Sequence, residues 1–190
     1  EVYPNTLCLV EYFGAFSRLP FPVTLALDAS GIYKDSYLYK YKSELNALAP
    51  SSEASSFMTE IRNIFFEETL SKYFIEPELF LNIRKKHKYI VLLPLQGSNY
   101  FAFEENVKYT NMLDYIMDVL DTIDPNIAVV VTEHTSREQI INDLNYYYLQ
   151  KTYPNFYYFP EINNIPNHSP IFLKQVDGVI MVTSGVGFLA

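Results

Sequence analysis

From Lys88 to the end of the chain, short apolar runs alternate with segments of helical periodicity, and this alternation constrains the fold more than any other feature. Tyr89 to Leu95 (Y-I-V-L-L-P-L) and Ile127 to Thr132 (I-A-V-V-V-T) are continuous apolar stretches, the pattern a strand needs when both faces of its sheet are covered. Between them, Leu113, Ile116, Met117, Leu120 and Ile123 recur at helical spacing, while Asp114, Asp118 and Asp121 fall on another face and Pro125 closes the element. That spacing predicts an amphipathic helix with a solvated acidic side. Ser136 and Gln139 form a capping-box signature, which predicts a second helix that opens there and shares Ile140, Ile141, Leu144, Tyr147 and Tyr148 on one face. Phe156 to Phe159 reads as a third strand, Ser169 to Lys174 as a short helix, and Gly178 to Thr183 as a fourth strand running into Ser-Gly-Val-Gly. Such an order implies an α/β fold with right-handed crossovers: a Rossmann-like parallel sheet flanked by helices.

The first 84 residues are less regular. Leu7 to Val10 and Thr24 to Leu27 read as strands separated by the turn residues Pro20 and Pro22. The serine-rich stretch Ser51 to Ser56 is expected to be a loop feeding a helix, in which Phe57, Met58, Ile61, Ile64 and Phe65 keep helical spacing. The run Arg84-Lys85-Lys86-His87-Lys88 reads as a solvated linker, which divides the chain into residues 1–84 and 85–190. The chain starts at Glu1 and stops at Ala190 within what reads as the first turn of a helix, so it is expected to be an excerpt of a longer protein, incomplete at both ends.

Composition removes several function classes. With 22 acidic and 14 basic residues the formal charge is −8, which repels a phosphate backbone and argues against nucleic acid as a partner. One cysteine, Cys8, makes no internal disulfide, and His87, His134 and His168 lack the spacing of a zinc site, so neither a disulfide scaffold nor a structural metal is expected. No apolar run approaches the roughly 20 residues that cross a bilayer as a helix.

In an open parallel sheet, ligands bind beyond the carboxyl ends of the strands. Four such places carry informative residues: Gln96 after the first strand, Glu133-His134-Thr135 after the second, Ser184-Gly185-Val186-Gly187 after the fourth, and Asp28-Ala29-Ser30-Gly31 after an N-terminal strand. An imidazole at His134 can meet an anionic group, or be satisfied by backbone at a helix start. Glycines after Ser184 let a backbone approach phosphate at a helix N-terminus, or ease packing behind an ordinary N-cap. Asp28 can serve as a general base on a sugar hydroxyl, or cap a turn. The tyrosines of Tyr146-Tyr147-Tyr148 and Phe156-Tyr157-Tyr158-Phe159 are expected in core and inter-domain packing. A Walker loop is absent, and no G-x-G-x-x-G follows the first strand.

Taken in order, these motifs resemble those of the capsule polysaccharide biosynthesis and export family, whose members look like GT-B glycosyltransferases adding the acid sugar Kdo from a CMP-linked donor. Val23 to Ser36 is similar to the family's strand, acidic residue and Gly-aromatic segment, and Ser71-Lys72-Tyr73 to its Ser/Thr-Lys-Tyr. Val91 to Gln96 resembles the strand ending in glutamine that opens the donor domain. Val130 to Thr135 resembles the strand leading into its His-Pro motif, and Val182 to Ala190 its V-x-S-x-x-G-x-E-A segment. Thr135 stands where the family has proline, Gly97-Ser98-Asn99 blurs an acidic pair, and Leu189 replaces a glutamate.

The resemblance implies a GT-B-like pair of Rossmann-like halves, with residues 1–84 the end of the acceptor half and 85–190 a truncated nucleotide-sugar-binding half. It implies a metal-independent inverting transfer without a cofactor, from a nucleotide-sugar donor, CMP-linked by preference, to a glycan or glycolipid acceptor. Asp28 and His134 would be catalytic; Gln96, His134, Thr135, Thr183, Ser184, Gly185 and Gly187 would hold the donor. The implied setting is cytoplasmic, peripheral to an export machinery at the inner membrane. A noncatalytic nucleotide- or glycan-binding module of the same fold is the alternative.

Overall fold

A computed structural model describes residues 10–13, 25–31, 33–70, 77–97, 101–104, 107–134, 139–163, 165, 168–182 and 184–188. The chain divides into two compact units, Glu1–Lys72 and Tyr73–Ala190.

In the first unit, β1 (Val10–Phe13) pairs antiparallel with β2 (Leu25–Asp28), Val10 opposite Asp28 and Phe13 opposite Leu25. Among the described residues this unit therefore contributes a two-stranded antiparallel ribbon. Two short helices follow, α1 (Tyr37–Lys40) and α2 (Lys42–Ala47), and then the long α3 (Ser52–Leu70). The serine-rich stretch, expected as a loop, is the first turn of α3: Ser51 Oγ accepts the Ala54 amide at 3.1 Å, so serine here caps a helix. Of the residues at helical spacing in α3, Ile61 and Phe65 are buried one turn apart, whereas Phe57 is 58% exposed.

The second unit is an α/β layer structure. After α4 (Pro77–Arg84) come β3 (Tyr89–Pro94), the short α5 (Phe101–Glu104), α6 (Met112–Thr122), β4 (Ile127–Thr132), α7 (Asp143–Thr152), β5 (Phe156–Tyr158), α8 (Pro160–Asn163), α9 (His168–Ile171) and β6 (Gly178–Val179). All four strands are parallel, in the order β5-β4-β3-β6. The unit begins before the expected break at residue 84, because α4 packs its Phe80 and Ile83 under the sheet.

Strand alternation sorts the core into two layers. Leu93, Leu95, Val129, Val131, Phe156 and Tyr158 face α6 and α7, meeting Tyr115, Ile116, Leu120 and Leu149. Ile90, Leu92, Ala128 and Val130 face the other way, onto Phe80 and Ile83 of α4, Phe172 and Val186. Helices on both faces explain why β3 and β4 are apolar throughout. The run to β6 passes on the second face, reversing the winding, so a topological switch lies between β3 and β6.

Pro94 sits in a central strand, where proline ordinarily removes a ladder bond. The Leu95 amide bonds to the Thr132 carbonyl of β4, so by alternation the Pro94 nitrogen turns toward β6. No bond is lost there, since the β3–β6 pairing ends at Leu92 and Val179.

α6 carries the expected stripe from Leu113 to Leu120, with Asn111 Oδ1 capping the Asp114 amide at 2.9 Å. α7 departs from expectation. It opens at Asp143 under an Asn142 cap, not at Ser136, which lies outside the described residues. Its buried residue is Leu149, with Tyr146 and Tyr153 partly buried beside it. Leu144 and Tyr147 are 77% and 64% exposed, so this part of the expected apolar face meets solvent, while Ile140 and Ile141, ahead of the helix, pack into the core. The fourth strand is also shorter than expected, since β6 stops at Val179. Among the described residues no helix is long and apolar enough to cross a membrane.

Candidate functional site at the carboxyl edge of the sheet

β3 stays paired with β4 to its last residue, Pro94 opposite Thr132, whereas it parts from β6 after Leu92. The last bond on that side runs from the Ile180 amide to the Leu92 carbonyl, 2.8 Å. Beyond it β3 and β6 are no longer paired, and of the residues the sequence singles out Gln96 lies two residues past β3 and Ser184 five residues past β6. Gln96 and Gly97 follow β3 in buried positions. Past β6, Ser184 leads into a single 3₁₀ turn, Gly185–Phe188.

Ser184 turns inward on that 3₁₀ turn: its Oγ accepts the Val186 amide at 3.3 Å and its carbonyl the Gly187 amide at 3.2 Å. Around Gly187, the Cε and Sδ atoms of Met181 lie where a Cβ would fall. They are the end of an exposed, flexible side chain. Thr135 and Thr183 lie outside the described residues.

At the end of β4, Glu133 is buried and His134 is exposed. Glu133 Oε1 accepts the amides of Ile140 at 2.9 Å and Ile141 at 2.5 Å, and the Glu133 amide donates to Asn163 Oδ1 at 2.9 Å. Burial raises the Glu133 carboxyl above the usual glutamate range, outweighing the amides of Ile141 and Ile140 and a bond with Tyr158. Burial, the Glu133 charge and hydrogen bonding there in turn push Tyr158 up to about 12.

Beside this carboxylate, Thr132 Oγ1 and Ser169 Oγ lie 2.8 Å apart. The His168 ring, 1% exposed, donates from Nδ1 to the Ile165 carbonyl at 2.8 Å. Burial lowers the His168 pKa, which the Ile165 and Glu133 carbonyls partly offset. The sequence reading gives a role to His134, but none to its neighbour Glu133 or to His168. The available signal was the placement of an acidic residue directly after five consecutive buried strand residues, where a carboxylate must find donors.

Asp28 belongs to the other unit, and its surroundings are those of a turn. Oδ1 accepts the amides of Ser30 at 2.7 Å and Gly31 at 3.2 Å, and Oδ2 accepts the Tyr37 amide at 2.8 Å. The Ser30 bond, joined by those of Tyr37 and Gly31, holds the carboxyl below the usual aspartate range. A carboxylate so stabilised is a weak proton acceptor.

Among the described residues no cluster of three or more His, Cys, Asp or Glu is placed to hold a metal. A cavity of about 390 Å³ lies along the β5 edge, lined by Tyr146, Tyr153 and Tyr157 among others. No family model, curated protein or solved structure matches the chain.

Proposed function

We propose that the chain handles a nucleotide-linked sugar, with unit Tyr73–Ala190 as the donor-binding half of a GT-B-like glycosyltransferase of surface polysaccharide synthesis. The observation that carries this reading is the switch point between β3 and β6, where their pairing ends at Leu92 and Val179, the place where doubly wound sheets take nucleotides. Gln96 would contact the donor from β3, and the exposed His134 imidazole would meet its phosphate from β4. The chain turn at Ser184 and Gly185 would close the crevice from the β6 side. Each preorganised donor of this kind gives about 3 to 4 kcal/mol to the transition state. The CMP-linked donor, the glycan or glycolipid acceptor and the cytoplasmic setting at an inner-membrane export machinery come with the resemblance.

One observation favours a second reading, a noncatalytic nucleotide-binding module. Asp28, the base that the resemblance implies, spends both oxygens on backbone amides. Titration calorimetry with CMP, UDP and GDP, followed by donor-hydrolysis and transfer assays, separates the two. The donor reading expects saturable CMP binding that weakens about tenfold in both Gln96→Ala and His134→Ala. Absence of binding to all three nucleotides overturns it, and binding without turnover selects the second reading.

A further inference from the structure

The groove along β5 lies at the opposite edge of the sheet from β6. Tyr146 and Gln150 of α7, Tyr153 just after it, Tyr157, Lys86 and Glu161 line it. Three of its tyrosines are hydrogen-bonded through their hydroxyls. Gln150 Nε2 donates to Tyr146 Oη at 3.2 Å, Tyr153 Oη donates to Asp121 at 2.8 Å, and Tyr157 Oη pairs with His87 Nε2 at 3.0 Å.

The strand edge adds polar groups. The Val129 amide bonds to the Asn155 carbonyl, so alternation directs the peptide groups of Phe156 and Tyr158 away from β4, toward the open edge. The Phe156 amide is taken by the Tyr153 carbonyl, which leaves the Phe156 carbonyl and the Tyr158 peptide group facing outward.

Three features select the ligand. The volume, about 390 Å³, falls in the range of small-ligand clefts. One cation, Lys86, and one anion, Glu161, balance, so the groove attracts neither a phosphate nor a polycation. β5 is three residues long and bracketed by Pro154 and Pro160, the short proline-flanked edge that discourages strand addition by a peptide.

We propose that this groove binds a neutral sugar unit of a glycan chain. The C–H faces of a pyranose pack against tyrosine rings, while its rim hydroxyls pair with outward peptide groups and tyrosine oxygens. The site is independent of the donor reading, since it lies at another edge and needs no nucleotide.

The test is a titration of the whole chain, isotope-labelled and saturated with CMP, with maltohexaose, cellohexaose and an extended hydrophobic peptide, read by amide chemical shifts. Saturable shifts at Tyr146, Gln150 and Tyr158 with at least one glycan are expected, and Gln150→Arg, an exposed substitution that fills the groove, should weaken them about tenfold. Tyr146→Ala should do the same, with its melting curve checking the fold. The same shifts without CMP are expected even if CMP itself fails to bind, so failure of the donor reading leaves this one standing. No saturable glycan shift at millimolar concentration, shifts unaffected by Gln150→Arg, or binding of the peptide alone each overturn the proposal.

Discussion

Glu133 Oε1 lies 2.5 Å from the amide nitrogen of Ile141 and accepts its hydrogen together with that of Ile140. One buried carboxylate thereby joins the end of β4 to the segment that leads into α7. It does for the chain what a ligand's anion does at many such strand ends, supplying an acceptor to consecutive amides.

Removing that acceptor leaves two amides without a partner. Glu133→Ala is therefore expected to lower stability by about 1 to 3 kcal/mol, measured by urea unfolding. Glu133→Gln keeps a carbonyl in place and should cost less. Because burial raises the folded-state pKa, the wild-type protein binds the proton more tightly folded than unfolded, and its stability falls as pH rises through that raised value. Glutamine carries no such penalty, so the gap between wild type and Glu133→Gln should narrow as pH rises above the ordinary glutamate range. A gap that stays constant over this rise contradicts the assignment.

Arg84 and Asp177 close the amino edge of the same sheet. Nη1 and Nη2 of Arg84 reach the two carboxylate oxygens at 3.0 and 3.3 Å, Nη2 also meets the Gln175 carbonyl at 2.9 Å, and Asp177 Oδ2 accepts the Ile90 amide at 2.8 Å. Partial burial pushes the Asp177 pKa up, but the Arg84 bond and the Ile90 amide outweigh it and the net shift is downward. Asp177→Asn should cost about 1 to 2 kcal/mol at neutral pH, discounted for the solvent that reaches the pair. A lowered pKa means this stability is present above the ordinary aspartate range and is lost as pH falls through the folded-state value. Unfolding curves of wild type and variant should therefore converge in acid; a difference that persists there counts against the pairing.

What the sequence made legible follows from how local the signal was. β4 is read to the residue, since an apolar run between a turn and a loop determines its own boundaries, and α6 carries the expected 3.6-residue stripe ahead of Pro125. α7 was misread because Ile140, Leu144, Tyr147 and Tyr148 keep helical spacing, although Asn142 caps the helix and turns Leu149 inward. Periodicity reports a face and not what covers it. At the site, the positions of Gln96 and His134 just past β3 and β4 were legible because apolar runs mark where strands stop. Glu133 was not, because its role depends on the amides of Ile140 and Ile141, which reach it only in three dimensions.

Two glycines that the sequence does not distinguish are separated by their surroundings. Gly31 has φ +155°, and a Cβ there would lie 2.8 Å from Asp35 Cβ and 3.2 Å from the Asp35 carbonyl oxygen, so backbone must move. Gly31→Ala is expected to destabilise the first unit by about 1 to 3 kcal/mol. At Gly187 the obstacle is the end of the Met181 side chain, which is 39% exposed and flexible. Gly187→Ala should therefore cost less than about 1 kcal/mol as Met181 swings out. Thermal unfolding of the two variants orders them, and equal losses would refute this distinction.

Asp28 offers the sharpest contrast between a structural and a catalytic carboxylate. In Asp28→Asn the side-chain carbonyl can still accept the Ser30 and Gly31 amides, but the NH₂ group that replaces Oδ2 cannot accept from Tyr37. The start of α1 should then loosen, visible as faster hydrogen exchange at Tyr37 and a lower melting temperature. If the turn is its whole role, nucleotide binding by the second unit stays at the wild-type level, and any transfer activity falls only in proportion to the folded fraction. A general base behaves in the opposite way: exchange at Tyr37 unchanged, melting unchanged and transfer abolished. The three amides that lower its pKa make the first outcome the expected one, because each bond that stabilises the carboxylate also weakens it as an acceptor of the substrate's proton.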